Sequence, residues 1–264
     1  MNMGDSGSVA IHRASVEDAA TLTDICVRAF HSDVDFGTDG TGGPPGYDSV
    51  DWNSRMITSN FEHYYKVLDQ DCIVGGFIAG SRSKGYHVCE RIYVDPESQR
   101  KGIGERVFEL VWDRYPQAQV WTLGTPEWNT RTKNFYEKVG FVQIGWTYNV
   151  PDWRGRFYQK QITSRLPIHE IAELEDGMKR VILEGEITKK YPSRQVRSRS
   201  RDPLTLTVVE LSDDTGSIAV NLWNEQSNLI QSDRIRIENG SVKSYRDELQ
   251  LSVGTFGAII SLIE

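Results

Sequence analysis

The stretch Glu90–Glu105, with the sequence ERIYVDPESQRKGIGE, decides the fold of the first half of the chain. Its first part, as far as Val94, is rich in β-branched and aromatic residues and predicts a strand. Pro96 ends the strand, and Gly102 and Gly104 stand where a helix opens. Glycines let a backbone approach a phosphate closely, and the N–H groups at a helix start favour an anion. By itself the stretch fits an anion-binding loop and a plain strand-to-helix turn equally well.

Strands and helices alternate on both sides of this stretch. The predicted helices are a helix capped by Ser15 and running to Phe30, then Asp51–Lys66, Ile103–Tyr115 and Asn129–Val139. The predicted strands are Val9–Arg13, Tyr64–Leu68, Cys72–Gly80, Tyr86–Val94, Gln119–Gly124, Val142–Tyr148 and Arg156–Ile162. Between the first two helices, Phe36–Tyr47 is a loop rich in glycine and proline. This order predicts an α/β domain, with a mixed sheet flanked by helices, over residues 1–165.

The last part of the chain, residues 178–264, reads as almost entirely β. Its predicted strands are Arg180–Thr188, Leu204–Leu211, Ser217–Trp223, Arg234–Tyr245, Glu248–Val253 and Ala258–Ile263. So many short strands with turn residues between them are typical of a small closed barrel. Residues 166–177 form the predicted linker, in which the spacing of Ile168, Ile171 and Leu174 fits a short helix.

Composition places the chain among ordinary globular proteins of two domains. It has 264 residues, of which 38% are hydrophobic and 25% charged, with a formal net charge of −7. No apolar run approaches the ~20 residues that a membrane helix needs, and the first residues carry no secretory signal. The three cysteines form no CxxC pair, which suits a reducing compartment. These features predict a cytoplasmic protein with no membrane partner.

Two sequence signatures give the first half a family resemblance. Gln99–Gly104 reads QRKGIG, and Asn129 precedes Tyr136 by seven residues in a helix that ends FYEKVGF. In this order, with a strand between them, the two signatures resemble those of the GNAT N-acetyltransferase superfamily. The resemblance covers about residues 8–162 and implies that the chain is an enzyme that uses acetyl-CoA as a co-substrate and an amine, on a protein or a small molecule, as acceptor.

The resemblance also implies where the donor binds. The pyrophosphate would be held mainly by backbone N–H groups of the glycine loop, and the pantetheine arm would pair with the preceding strand as an added strand does. The implied donor-binding residues are Ile92, Tyr93, Val94, Arg100, Lys101, Gly102, Ile103, Gly104, Glu105 and Asn129.

Acetyl transfer needs a base for the ammonium acceptor and an acid for the departing thiolate. Many family members carry an acidic residue at the position of Glu90, and we predict that it is the general base, through a water molecule. The alternative is that Glu90 only pairs with a neighbouring cation such as Arg91. Tyr136 matches the tyrosine that gives a proton to the sulfur; the alternative is a ring that only packs beside Phe135 and Phe141.

Other polar residues of the first half carry weaker signals. The five histidines have no ligand spacing, so no metal is predicted. Cys72 and Cys89 are predicted to lie in the core, because direct transfer needs no nucleophile. Acidic side chains cluster around the glycine-rich loop, at Asp33, Asp35, Asp39, Asp48 and Asp51. They would attract a cationic amine or simply face solvent.

The barrel half resembles the OB fold of single-stranded-DNA-binding proteins of the replication-protein-A type. The resemblance rests on DDTGSI at residues 213–218, on Trp223, and on the pattern from Asp233 through Tyr245 to Leu251. It implies that Trp223 and Tyr245 stack on bases. Three positions depart from the pattern, because Ser232, Ser241 and Asp247 stand where glycine or an aromatic residue is usual.

Charge in the barrel half is concentrated in one loop. Residues 166–264 carry 12 basic and 16 acidic side chains, yet six of the cations fall between Lys189 and Arg201 with no acid among them. The predicted nucleic-acid-binding residues are Lys189, Lys190, Arg194, Arg197, Arg199, Arg201, Trp223 and Tyr245. The sequence thus predicts an N-acetyltransferase whose OB-fold domain recruits single-stranded DNA or RNA, or a partner bound to it. The alternative is a non-catalytic acetyl-CoA-binding scaffold or sensor with an OB module for protein interaction.

Overall fold

A computed structural model describes residues 9–37, 40–149, 153–196 and 203–263. The chain divides into two compact units. The first unit comprises Met1–Leu123, Trp128–Val142 and Gln159–Arg165, and the second comprises Gly124–Glu127, Gln143–Tyr158 and Leu166–Glu264. No helix in the described residues is long and apolar enough to cross a membrane. The predicted domain boundaries at 165/166 and 177/178 stay predictions.

The first unit is built on a sheet of strands in the order β1-β2-β3-β4-β5. Its strands are β1 Val9–Arg13, β2 Glu62–Asp69, β3 Cys72–Ser83, β4 Tyr86–Val94 and β5 Val120–Pro126. Its helices are α1 Ala19–His31, α2 Val50–Ile57, α3 Ile103–Arg114 and α4 Thr130–Lys138. Neighbouring strands run antiparallel, except that β4 and β5 are parallel. The predicted α/β architecture of this half is confirmed.

Two helices of the first unit share a core with the sheet. Leu22, Ile25 and Cys26 of α1 and Ile57 of α2 are buried against Ile78 of β3. The apolar residues of α1 recur at helical spacing, so one face of the helix is buried while the other meets solvent. Cys89 is buried as predicted, and Cys26 is buried too. Cys72, which was predicted to lie in the core, is exposed at the start of β3, where it directly follows the turn at Gln70 and Asp71.

The helix predicted for Asp51–Lys66 is shorter than expected. It ends at Ile57, and Glu62–Asp69 is strand β2. The aromatic and β-branched residues of this strand prefer an extended, half-buried backbone, and tertiary pairing with β3 overrides the helical pattern.

A polar network is buried beneath α1 and α2. The Asn53 side chain is fully buried and accepts a hydrogen bond from the Tyr64 hydroxyl at 2.9 Å. Its amide nitrogen donates to the Thr23 hydroxyl at 3.0 Å and to the Ser49 carbonyl at 3.0 Å. The Tyr64 hydroxyl also lies 2.6 Å from the Tyr93 hydroxyl on β4. Through Asn53, the network joins both helices to the sheet.

A histidine–aromatic cluster lies where β4 and β5 are paired. The buried His87 ring stacks on Trp121 with 5.0 Å between the ring centroids, and the Tyr115 ring meets it edge-on at 5.0 Å. Burial is the largest cause that lowers the pKa of His87 below its usual value, and the nearby His63 acts in the same direction. Burial and Arg13 lower the pKa of His63 as well.

We expect acid to destabilise the first unit through His87. Its pKa in the folded chain lies below the unfolded value of about 6.5, so the unfolded chain binds the extra proton first. The contribution of His87 to the free energy of unfolding should therefore be complete above about pH 6.5 and should decline below it. His87→Phe keeps a ring against Trp121 and should flatten this decline in urea titrations between about pH 5 and 7. An unchanged pH profile in the variant would contradict the assignment.

The second unit contains a hairpin and a closed barrel. The hairpin strands are β6 Val142–Asn149 and β7 Trp153–Gln161. The barrel strands are β8 Lys179–Lys190, β10 Leu204–Asp213, β11 Gly216–Trp223, β12 Arg234–Tyr245 and β13 Glu248–Leu262, and a short β9, Arg194–Val196, pairs with β10. The circuit β8-β10-β11-β13-β12 closes because β12 pairs with β8. The predicted all-β barrel is confirmed.

Strand β13 is a single strand of 15 residues where the sequence predicts two. It pairs with β11 at residues 250–252, with β12 along most of its length, and with β6 at residues 260–262. Phe157 of β7 packs with Ile260 and Leu262 of β13 in one small core. The hairpin and the barrel of the second unit therefore share both a strand pairing and a hydrophobic cluster.

The linker contains less helix than predicted, and two of its residues pack into the barrel core. Only Ile171–Glu173 makes a 3-10 turn. Ile171 and Leu174 are buried in the barrel core. The Asp213 carboxylate accepts from the Ile171 N–H at 2.8 Å, which anchors the turn. The apolar spacing of the linker thus marks residues that pack into the barrel core rather than a helix.

Candidate functional site

The paired region between β4 and β5 is short. Residues 86–88 of β4 pair with residues 120–122 of β5, and the described register ends there. On the other side, β4 stays paired with β3 as far as Val94. Ile78 faces Arg91 while Ala79 faces Cys89, so Glu90 is the extra residue of a β-bulge. Beyond the bulge, Ile92–Val94 present an edge that is not paired with β5.

The glycine loop follows this open edge and starts α3. Arg100 and Gly102 have positive φ angles of 62° and 80°, a conformation that only glycine adopts without strain. Gly104 is required for packing, because a Cβ there would lie 2.9 Å from the ring of Phe135. The first N–H groups of α3 have no carbonyl partner within the helix and point toward the loop. Backbone N–H groups at a helix start of this kind are the donors that suit an anion.

The open edge of β4, the glycine loop and α4 line a cavity of about 330 Å³. Its walls come from the end of α1 and the following 3-10 turn, from β4, from the glycine loop and from α4. It brings together most of the predicted donor-binding residues: Ile92, Tyr93, Val94, Arg100, Gly102, Ile103, Gly104 and Glu105. Tyr136, 8% exposed, lines the same cavity and packs against Phe108, Phe135 and Phe141.

Three predicted residues lie outside the cavity lining. Lys101 is exposed beside the glycine loop. Asn129 is buried and caps α4, where its side-chain oxygen accepts from the Thr132 N–H at 3.1 Å. Glu90 is exposed, and its carboxylate lies 2.6 Å from the guanidinium of Arg82. The cation beside Glu90 is thus Arg82, because Arg91, the next residue along the strand, is directed to the other face.

Arg91 is buried between the helices and the glycine-rich loop. Its guanidinium lies 4.4 Å from the centroid of the Trp52 ring and donates to the Pro45 carbonyl at 3.0 Å. It also lies 5.8 Å from the centroid of the Phe30 ring. Burial raises the pKa of the neighbouring Cys26 thiol to about 11, so this cysteine stays protonated.

One acidic residue of the predicted cluster lies in the cavity wall. Asp33 is buried and forms an ion pair with Arg131, and burial raises the pKa of its carboxyl while Arg131 and Asn129 oppose that rise. Asp35, Asp48 and Asp51 are exposed, and Asp39 lies outside the described residues. Sequence reasoning missed Arg131, whose only signal is its place two residues after Asn129 in the first turn of α4. No group of three or more His, Cys, Asp or Glu side chains in the described residues is arranged to hold a metal.

The predicted nucleic-acid residues of the barrel are partly exposed. Tyr245 is 57% exposed at the turn between β12 and β13, and the Arg246 guanidinium lies 5.3 Å from its ring centroid. Trp223 is half-buried at the end of β11. Lys189 and Lys190 end β8, and Arg194 starts β9, so these three cations lie on strands that both pair with β10. Arg197, Arg199 and Arg201 lie outside the described residues.

Two family profiles match the chain. Residues 60–143 match the Acetyltransferase (GNAT) domain, and residues 178–261 match the single-stranded DNA binding protein Ssb-like OB fold. The first half of the chain thus contains a match to a GNAT domain, and the second half a match to an OB fold. The two predicted resemblances are confirmed.

Individual relatives cover only parts of the chain. The uncharacterized protein YrkN of Bacillus subtilis (strain 168) is 33% identical over 79 residues, which are 29% of this chain and 43% of YrkN. The chain therefore spans less than half the length of this curated relative. Among solved structures, an acetyltransferase from Thermus thermophilus is 14% identical, with 59% of this chain and 97% of that chain covered and a TM-score of 0.48. The PaiA N-acetyltransferase from Thermoplasma acidophilum, in complex with coenzyme A, is 16% identical, with 59% and 99% covered and a TM-score of 0.46.

The GNAT match includes the structural parts of the cavity that the sequence signatures mark. Strand β4, the glycine loop, α3 and α4 all fall within residues 60–143. The wall formed by Phe30, Asp33 and Phe36 lies before the matched range. The family match therefore does not include the turn after α1, which forms this side of the cavity.

Proposed function

We propose that this protein is a cytoplasmic enzyme that transfers an acetyl group from acetyl-CoA to an amine. The observation that carries the proposal is the cavity that joins the open edge of β4, the glycine loop and the buried Tyr136. The amine belongs to a protein, a nucleic acid or a small molecule. The OB-fold domain brings the enzyme to single-stranded nucleic acid, or to a partner bound there.

The residues around the cavity fit the donor. The open edge at Ile92–Val94 offers backbone groups to an amide-containing arm, as a neighbouring strand would. The N–H groups at the start of α3 suit a diphosphate, and Arg100 adds a positive charge. Acetyl-CoA supplies an activated thioester, so the chain needs no covalent nucleophile of its own.

The chain has two candidates for the proton transfers. Glu90 sits on the bulge of β4, outside the cavity lining and paired with Arg82, and acts through water. It removes a proton from the ammonium acceptor before the nitrogen attacks the thioester carbon. A C–N bond forms and the C–S bond breaks. Tyr136 lines the cavity and gives its hydroxyl proton to the departing thiolate. The nitrogen loses its second proton as the amide forms, and this proton restores the phenol.

Release of free thiol from acetyl-CoA tests the proposal. The full chain is mixed with acetyl-CoA and a panel of lysine-containing peptides, polyamines and amine-bearing oligonucleotides, and thiol is followed with a colorimetric reagent. Thiol release that depends on both enzyme and amine is expected. Tight CoA binding without turnover on any amine would contradict the enzyme and favour the scaffold or sensor instead.

The OB-fold proposal rests on the exposed Tyr245 ring with Arg246 beside it, on the half-buried Trp223, and on the cations that end β8 and start β9. We expect Trp223→Ala and Tyr245→Ala each to weaken binding of an oligo-dT strand by about 5- to 150-fold, since stacking contributes ~1–3 kcal/mol per base. Fluorescence anisotropy of a labelled strand at low salt gives the affinity. Trp128→Ala is the matched control, because Trp128 is 38% exposed in the first unit and should leave the affinity unchanged.

The salt dependence of binding provides a separate measure of the basic loop. Neutralising Lys189 or Lys190 should reduce the slope of log K against log salt by about 0.7 for each phosphate that the side chain neutralises. If the wild-type chain does not bind single strands at low salt, the nucleic-acid role is wrong, and the OB-fold domain contacts protein.

A further inference from the structure

Arg131 is the cation that ties three walls of the cavity together. It lies in the first turn of α4, and its guanidinium contacts Gln99 of the glycine loop, Asp33 after α1, and the ring of Phe36. Gln99, Asp33 and Phe36 themselves line the cavity. We infer that Arg131 is a positioning residue that holds the donor cavity open in its binding shape and neutralises Asp33 within it.

The contact with Gln99 fixes the glycine loop. The Arg131 Nη1 atom donates to the Gln99 Oε1 atom at 3.0 Å. The amide nitrogen of Gln99 in turn donates to the Val94 carbonyl, the last of β4, at 2.9 Å. One chain of hydrogen bonds therefore runs from α4 through the loop to the open strand edge. A guanidinium suits this position because its donors are held in a rigid planar fork.

The contact with Asp33 controls the charge of the cavity. Both side chains are largely shielded, with 27% of the Arg131 side chain and 11% of the Asp33 side chain exposed. The Phe36 ring lies under the guanidinium, with 4.4 Å between Cζ and the ring centroid. Removing one partner of a buried ion pair leaves the other charge uncompensated. Without Arg131, the Asp33 carboxylate would keep the neutral Asn129 side chain as a partner but lose its ion pair, in a cavity that is otherwise arranged for an anion.

This charge relation predicts rescue by a second substitution. The inference rests on the proposed function, because the anion is the diphosphate of CoA. Arg131→Met should weaken CoA binding by about tenfold, since it leaves the Asp33 charge unpaired. Asp33→Asn alone should change affinity by less than about threefold, and Asp33→Asn with Arg131→Met should restore it to within about threefold of wild type.

Isothermal titration of CoA into the full chain measures these affinities. Arg131→Lys keeps a positive charge beside Asp33 and should bind better than Arg131→Met. Lys133→Met is the matched control, because Lys133 lies in the same part of α4, donates a hydrogen bond to Glu137 and does not line the cavity. The affinity of this variant for CoA should equal that of the wild-type chain. With acetyl-CoA as the varied substrate, Arg131→Met should raise KM more than it lowers kcat.

Two results would overturn the inference. Wild-type affinity in Arg131→Met would show that the contacts do not prepare the cavity. A double variant as weak as Arg131→Met would show that neutralising Asp33 is not what Arg131 contributes to donor binding. If the wild-type chain binds no CoA, the proposed donor is wrong. Urea unfolding of the ligand-free variants then decides the inference. The inference requires that the effects of Asp33→Asn and Arg131→Met on the free energy of unfolding are coupled, and additive effects would refute it.

Discussion

Tyr136→Phe is expected to lower kcat by about 10²- to 10⁴-fold, the range that a positioned general acid contributes. The substitution removes one hydroxyl and keeps the ring that packs against Phe108 and Phe141. CoA affinity should therefore stay near that of the wild-type chain. Steady-state thiol release and CoA titration, measured on the same preparation, separate the two effects.

Tyr65→Phe is the matched control for this result. It removes a phenolic hydroxyl that is also buried, but one that lies 3.0 Å from the Tyr115 hydroxyl and does not line the cavity. It should leave kcat unchanged. If Tyr136→Phe keeps kcat within about threefold of wild type, its phenol is not the acid, and the tyrosine serves packing alone.

Asn53→Leu is expected to lower the free energy of unfolding by about 3 kcal/mol, because it leaves several buried polar groups without their partner. The Thr23 hydroxyl, the Tyr64 hydroxyl and the Ser49 carbonyl each lose a hydrogen bond. Thermal unfolding should show a drop in Tm of roughly 6–12 °C at this chain length.

Asn60→Leu tests whether this destabilisation comes from the buried network. Asn60 lies seven residues further along the chain and is exposed, so the same substitution there should shift Tm by little. Equal shifts at the two positions would show that the network adds no stability. Because the network reaches the Tyr93 hydroxyl on β4, a loosened Asn53 variant should also bind CoA more weakly.

Local patterns in the sequence account for much of the fold. Tyr86–Val94 has the bounds of β4, since its alternation and its flanking turns are properties of neighbouring residues. The glycine loop was readable for the same reason, because Gly102 requires a positive φ and Gly104 a close approach. The barrel strands were readable from their alternation and the turns between them, although β13 continues through residues where the pattern weakens.

The sequence by itself therefore determined the two fold classes, the glycine loop and the tyrosine that lines the same cavity. Only the tertiary structure decided which charges meet. Asp33 and Arg131 are 98 residues apart, and Glu90 pairs with Arg82 across a β-bulge rather than with its neighbour. The physical reason is range: turns, caps and alternation depend on adjacent residues, whereas an ion pair depends on how distant segments pack. For the same reason, the sequence did not predict that the linker packs into the barrel core or that β6 of the hairpin pairs with β13.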